Sequence, residues 1–379
     1  MQINDSFYSR LIELAILGLK PLYDDQQKLF TKKYANKELI DEEYQPSFIY
    51  TATTVLGLIR ARKAGWNINE MNESEILDAL VNRINAFESP GILGLMLWAD
   101  SHSDGIHAKT LYQAIKDEVH DEKINELPTY ELSWLLTGLS YAHQNIEQDV
   151  YYKELVSNLY NAITFNMNSD AGLFGYRTGG TWPATMRNKI GNFADQIYSV
   201  YALSTYSDIF KISKALEQAL QCANRLCELQ GDKGQWWWHY HSKKNIIAAN
   251  YPVYGVHQSG MTPMTLFKLS EVSGQDFKSS ILRGVNWLTG DNELGIEMID
   301  WQNNIIWRDI KWKQPRASLK YLSMATATLG MNGISRLVNR IPAYKVNHEM
   351  RSYHLGWVLY AFADKYSPQK GSSKKLSKK

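Results

Sequence analysis

Cysteine is nearly absent: the 379-residue chain has two, Cys222 and Cys227. They lie five positions apart in a helical pattern, about 140° around a helix, which suits neither a disulfide nor a structural zinc site. A reduced, cytoplasmic compartment is therefore expected. Long apolar runs are also missing. No window approaches the ~18 uninterrupted residues of a membrane span, and the polar stretch Met1–Arg10 does not read as a signal peptide. Neither charge sign dominates: 41 basic residues face 39 acidic ones, so no global field favours nucleic acid or an acidic membrane surface. The exception is the Lys-rich tail, residues 368–379, which is expected to be disordered. No linker rich in Pro, Gly or Ser interrupts the rest, so residues 1–367 read as one domain.

What is present is helical. Apolar residues recur at i, i+3, i+4 and i+7 in Tyr8–Lys20, Phe48–Ala64, Tyr130–His143, Tyr151–Phe165, Asn192–Ser207, Ile212–Leu229, Met264–Val272, Lys278–Leu288, Ala317–Leu329 and Tyr353–Tyr366. Alternating β-branched residues are few, and the best such stretch, Asn303–Trp312, predicts a small hairpin within a loop. Breakers such as Ser89-Pro90-Gly91, Asp170-Ala171-Gly172 and Gly290-Asp291 separate the helices.

A rhythm runs through them. Segments that start polar or aromatic and turn apolar begin at Glu131, Asn192, Tyr254 and Arg316, spaced by 61, 62 and 62 residues. A more amphipathic helix lies within each interval. Paired helices cannot bury their apolar faces alone, so the pairs must stack. The expected fold is all-α: an (α/α)6-type toroid of helical hairpins with short hairpin-like loops.

One motif carries a family resemblance. Gln230-Gly231-Asp232-Lys233-Gly234-Gln235-Trp236 reads Q-x-x-x-G-x-W and resembles the QW repeat of squalene and related triterpene cyclases. Asp170-Ala-Gly-Leu-Phe-Gly-Tyr looks like a degenerate relative, with Phe174 or Tyr176 in the aromatic role. The resemblance covers about a dozen residues and implies the toroid superfamily, which also includes six-hairpin glycosidases, sugar epimerases and polysaccharide lyases of similar shape. The D-x-D-D acid motif, the D-D-x-x-D motif and the Cys-plus-His zinc pattern of its better-known members are missing, so the fold carries over and those chemistries do not.

In a ring of hairpins the inner-helix starts converge on one cavity. They supply Glu131 and Asp195 as candidate acids, although the helix dipole alone favours carboxylates in a first turn. Tyr254 and His257, three apart on one helix face, form a candidate proton-transfer pair. Arg187 and Arg351 could clamp an anionic group, and Asn192, Gln196, Gln258 and His354 sit at comparable positions. Trp236, Trp237 and Trp238 cannot all face one core, so some indole surface is expected to stack on sugar rings or to cover helix ends. His239 and His241 follow them. No metal or cofactor is expected. The reading that joins these residues is a carbohydrate-active enzyme (lyase, epimerase or hydrolase) acting on an oligo- or polysaccharide. A terpenoid-cyclase-like enzyme and a non-catalytic glycan- or peptide-binding toroid are the alternatives.

Overall fold

A computed structural model describes residues 3–31, 47–68, 71–179, 188–313, 326 and 344–368, and the backbone of 34–35. Its helices are α1 (Asp5–Leu19), α2 (Phe48–Lys63), α3 (Glu73–Val81), α4 (Gly91–Ser101), α5 (Ala108–Glu118), α6 (Asp121–Glu126) and α7 (Thr129–Tyr141). They continue as α8 (Val150–Phe165), α9 (Phe193–Phe210), α10 (Ser213–Leu229), α11 (Thr262–Ser273), α12 (Lys278–Leu288) and α13 (Ser352–Phe362).

Side-chain pattern sorts these helices into two layers. In α4 and α13, apolar residues occupy every side and almost all are buried. Such a helix must be surrounded by protein. In α5 and α10 only one stripe is buried, Leu111, Tyr112 and Ile115 in the first, and Ala215, Ala219, Cys222 and Leu226 in the second. The more deeply buried set α2, α4, α7, α9, α11 and α13 forms an inner ring in which each helix touches the next and α13 closes on α2. Outside it, α3 packs on α2, α5 on α4, α8 on α7, α10 on α9, and α12 on α11 with the turn before it. The N-terminal α1 packs on α13 and completes the outer layer. This is the expected toroid of helical hairpins.

Glycines set how closely the inner helices approach. A Cβ at Gly57 would collide with the Gly356 backbone, joining α2 to α13, and one at Gly138 would collide with that of Gly94, joining α7 to α4. Helix starts are fixed by side chains: Asn4, Asn72 and Asp149 each accept a first-turn N–H, and Asn192 with Asp195 makes a reciprocal capping box on α9.

The 61–62-residue rhythm holds for α7, α9 and the Tyr254 segment. The segment beginning at Arg316 lies outside the described residues, as does the tail from residue 369, and the sixth inner helix is α13. The Asn303–Trp312 hairpin is redrawn: Ile299–Asp300 pairs with Ile305–Ile306, while Asp309–Trp312 is the centre of a three-stranded sheet between Tyr344–Asn347 and Val253–Tyr254. Alternation marked the strand correctly, but its partners lie 32 or more residues away, beyond the reach of a local pattern. No helix among the described residues is long and apolar enough to cross a membrane.

Candidate active site

The first turns of the inner helices share one rim, where they enclose a cavity of about 220 Å³. Tyr50 of α2, Tyr130 and Trp134 of α7, Tyr198 of α9 and Tyr353 of α13 form its walls, joined by Trp238, Tyr254, His257 and Arg308. Among the described residues, no carboxylate lines it.

His257 opens a π-helical turn, His257–Met261, that runs directly into α11. The wider turn displaces one residue from the helical ladder and delivers the imidazole against three rings. Phe193 lies 4.3 Å away between centroids, Tyr254 lies 5.2 Å away, and Trp238 lies parallel to the imidazole within 9° at 5.9 Å. Its Nδ1 is buried without a hydrogen-bond partner. Burial lowers the His257 pKa to about 3, with the Trp236 backbone opposing the shift and His354 adding to it. The ring is therefore neutral at physiological pH. Tyr254 is pushed up to about 12, chiefly by burial and against the pull of Arg308.

Of the three consecutive tryptophans only Trp238 reaches the cavity. Its carbonyl accepts the Phe193 N–H at the start of α9, which fixes the segment. Trp237 turns away, its Nε1 donating to the Leu229 carbonyl at 2.9 Å and so covering the end of α10. Trp236 is buried in the core. His239 and His241 lie on the next strand, which pairs with Ile190–Asn192. Both are buried and neither lines the cavity. Burial and neighbouring lysines hold His241 near a pKa of about 4. No group of three or more His, Cys, Asp or Glu among the described residues is placed to hold a metal.

The polar residues expected at the helix starts are present but engaged with backbone. Asp195 is fully buried; its two oxygens accept the N–H groups of Asn192 at 2.8 Å and of Tyr130 at 3.2 Å, tying α9 to α7. Glu131 accepts the Ser89 hydroxyl, and its pKa is raised by burial, against hydrogen bonds from Tyr130 and the Gly91 backbone. It ties α7 to the start of α4. Neither carboxylate faces the cavity, because a first-turn carboxylate is drawn to the neighbouring helix's unpaired N–H groups. Asn192 is spent in the capping box.

Gln196 and Gln258 do the same job one repeat apart. The Gln196 amide accepts the Phe174 N–H and donates to the Phe174 carbonyl, at 2.8 and 2.7 Å. The Gln258 amide holds the Trp236 N–H and carbonyl at 3.3 and 3.5 Å. Each clamps a residue 22 positions earlier, so Phe174 and Trp236 occupy equivalent places. His354 is buried beside the cavity, with Nε2 2.9 Å from Ser259 Oγ, and burial lowers its pKa to about 3.

Arg187 lies outside the described residues. Arg351 is turned to Glu349 at 2.8 Å and does not line the cavity. The cation that does is Arg308, which sequence reading missed. It immediately precedes the strand Asp309–Trp312, whose pairing with Val253–Tyr254 holds the guanidinium 5.4 Å from the centre of the Tyr254 ring. Glu349 steadies it at 2.8 Å. Burial would raise the Glu349 pKa, but Arg308 and Arg351 outweigh it and hold the carboxyl near 2.

No family model and no curated protein sequence matches the chain. Solved structures do. The cellobiose 2-epimerase of Bacillus thermoamylovorans superposes with a TM-score of 0.64 at 11% identity, over 95% of this chain and 98% of that one. A sugar epimerase from a ruminal bacterium gives 0.61 at 10% identity, over 93% and 98%. An unsaturated glucuronyl hydrolase specific for heparin gives 0.60 at 11%, over 94% and 96%. Identities this low establish the fold and leave the chemistry to the residues.

Proposed function

We propose that the protein is a carbohydrate-active enzyme that moves a proton at a sugar held in the aromatic cavity, as an epimerase or lyase. The observation that carries this reading is the convergence of His257, Tyr254, Trp238 and Arg308 on one small cavity with no carboxylate in its described walls. Hydrolysis by the usual route needs two carboxylates across the glycosidic bond, and Asp195 and Glu131 are committed to helix starts. A neutral imidazole and a protonated phenol, held apart in pKa by their surroundings, instead form a base and an acid. Burial makes His257 a weak base. Negative charge developing on a substrate beside it favours the imidazolium and offsets that burial. Trp238 offers a flat face to a sugar ring, and Arg308 supplies donors to its oxygens.

The cavity is smaller than the ~300 Å³ lower end of drug-sized pockets, which suits one ring of a longer glycan inserted at a chain end. The similarity to a cellobiose epimerase, a sugar epimerase and a glucuronyl hydrolase points to the same substrate class. The aromatic walls also favour a second reading, carbocation stabilisation as in terpenoid cyclases. That reading requires an acid able to protonate an alkene, and no carboxylate lines the described cavity.

The test is incubation in D2O with reducing disaccharides and uronic-acid oligosaccharides, followed by NMR. Deuterium entering a carbon-bound position for an epimerase, or a new alkene signal from loss of a ring proton and the glycosidic oxygen for a lyase, lost in His257→Asn while sugar binding persists, is the expected result. Binding with neither signal identifies a non-catalytic glycan-binding ring. Release of free monosaccharide with neither signal identifies a hydrolase.

A further inference from the structure

A second cavity, of about 380 Å³, opens at the opposite end of the ring. It is lined by the last turns of inner helices, by Ile59, Arg60, Lys63 and Ala64 of the α2 end, His102 after α4 and Asp364 after α13. We propose that this cavity binds a small oxyanion, the phosphate or carboxylate group of a metabolite, between Arg60, Lys63 and His102.

Helix C-termini alone do not account for these cations. The α2 carbonyls of Arg60, Ala61 and Arg62 already accept N–H groups from Ala64, Trp66 and Gly65. Lys63 has no ion pair or hydrogen bond among the described residues. Arg60 spends one N–H on the Tyr360 carbonyl at 2.6 Å and reaches Asp364 only at 3.8 Å, which leaves donors of its five unused. Its guanidinium is held in place by the Tyr360 ring, 3.7 Å from the centroid. Asp364 also has Lys365 at 3.9 Å, so the local carboxylate is outnumbered.

His102 is built into the same corner. Its Nε2 lies 3.2 Å from the Tyr360 hydroxyl, which continues to Tyr201 at 2.8 Å and to Tyr141 at 3.0 Å. Trp98 Nε1, a donor only, also points at the Tyr360 oxygen, at 3.1 Å. The hydroxyls can therefore run Tyr141 to Tyr201 to Tyr360 to His102, with His102 accepting at Nε2 and carrying its proton on Nδ1. That Nδ1 is buried, and the Trp98 backbone acts on the ring as a hydrogen-bond acceptor. Burial lowers the His102 pKa, and Arg60, Lys63 and Lys268 lower it further, against the Trp98 backbone, which raises it. Lys268 is itself paired with Asp208. An anion beside Arg60 and Lys63 relieves that field.

The experiment is calorimetric titration of the full chain with inorganic phosphate and, in a second arm, with citrate, at low ionic strength. The expected result is one saturable site per chain, weakened about tenfold or more by Lys63→Gln, the loss expected for a charged hydrogen bond. Lys63 is exposed, so the variant keeps the fold. Arg308→Gln, at the other end of the ring, leaves the binding unchanged. The two arms distinguish a phosphate from a carboxylate ligand. Absence of saturable binding in both arms overturns the proposal. So does binding that survives Lys63→Gln, or that is lost in Arg308→Gln, which would place the anion in the aromatic cavity.

Discussion

Replacing His354 with glutamine removes one titrating group while keeping a polar atom within reach of Ser259. The wild-type imidazole is buried in the folded protein, with a pKa lowered to about 3 by burial. In the unfolded chain it returns to about 6.5. Because the folded pKa is depressed, the folded state refuses a proton that the unfolded state takes up. The resulting destabilisation is absent well above pH 6.5, grows as pH falls through that value, and levels off only near the folded pKa. Integrating one proton between about pH 7.5 and about pH 5 gives a loss of about 2 kcal/mol from this residue alone. Domains have about 5–15 kcal/mol in all, so the effect is well within measurement. Other titrating groups, including the raised carboxyls of Asp100 and Asp309, contribute to both proteins and cancel in the comparison. Urea unfolding followed by circular dichroism across this range should show the wild type losing about 2 kcal/mol more than His354→Gln, with equal m-values. Parallel curves would falsify the placement of a neutral, desolvated imidazole between α13 and the Ser259 turn.

Three other outcomes follow from the geometry. Gly138→Ala should destabilise by a net of roughly 1–2 kcal/mol, since overpacking costs about 1–3 kcal/mol and alanine recovers up to about 1 kcal/mol of helix propensity; a stabilised variant in denaturant titration would show that α4 and α7 do not cross at Gly94. Trp237→Phe should lose about 1 kcal/mol of stability with the Leu229 cap and leave sugar affinity alone, whereas Trp238→Phe should do the reverse; equal effects in both assays would remove the distinction between them. Arg308→Gln should weaken sugar binding about tenfold or more in calorimetry without abolishing the fold, because Glu349 keeps Arg351 as its partner; unchanged affinity would take Arg308 out of the site.

Much of the architecture was legible because its causes are local. An inner helix is apolar on every side and an outer helix on one stripe, and that difference is written in spacing. Repetition at 61–62 residues then separated ring from bundle, since a repeat must stack on its neighbours. Tyr254 and His257 do reach one cavity together, but not from one helix face as their spacing suggested: Tyr254 ends a strand and His257 opens the π-helical turn.

What a side chain does at a helix start was not legible. Asp195 and Glu131 occupy positions that suit a catalytic acid and a helix fastener equally, and only the distance to Tyr130 N–H or to Ser89 separates the two. Three adjacent tryptophans look alike as letters, yet one caps α10, one fills the core and one faces the cavity. Arg308 had no local signal, because it is brought to the cavity by strands that pair over long separations. Sequence by itself determined the ring, since periodicity acts between near neighbours. Tertiary structure alone decided the cavity's chemistry, since burial and hydrogen-bond partners come from residues far apart in the chain.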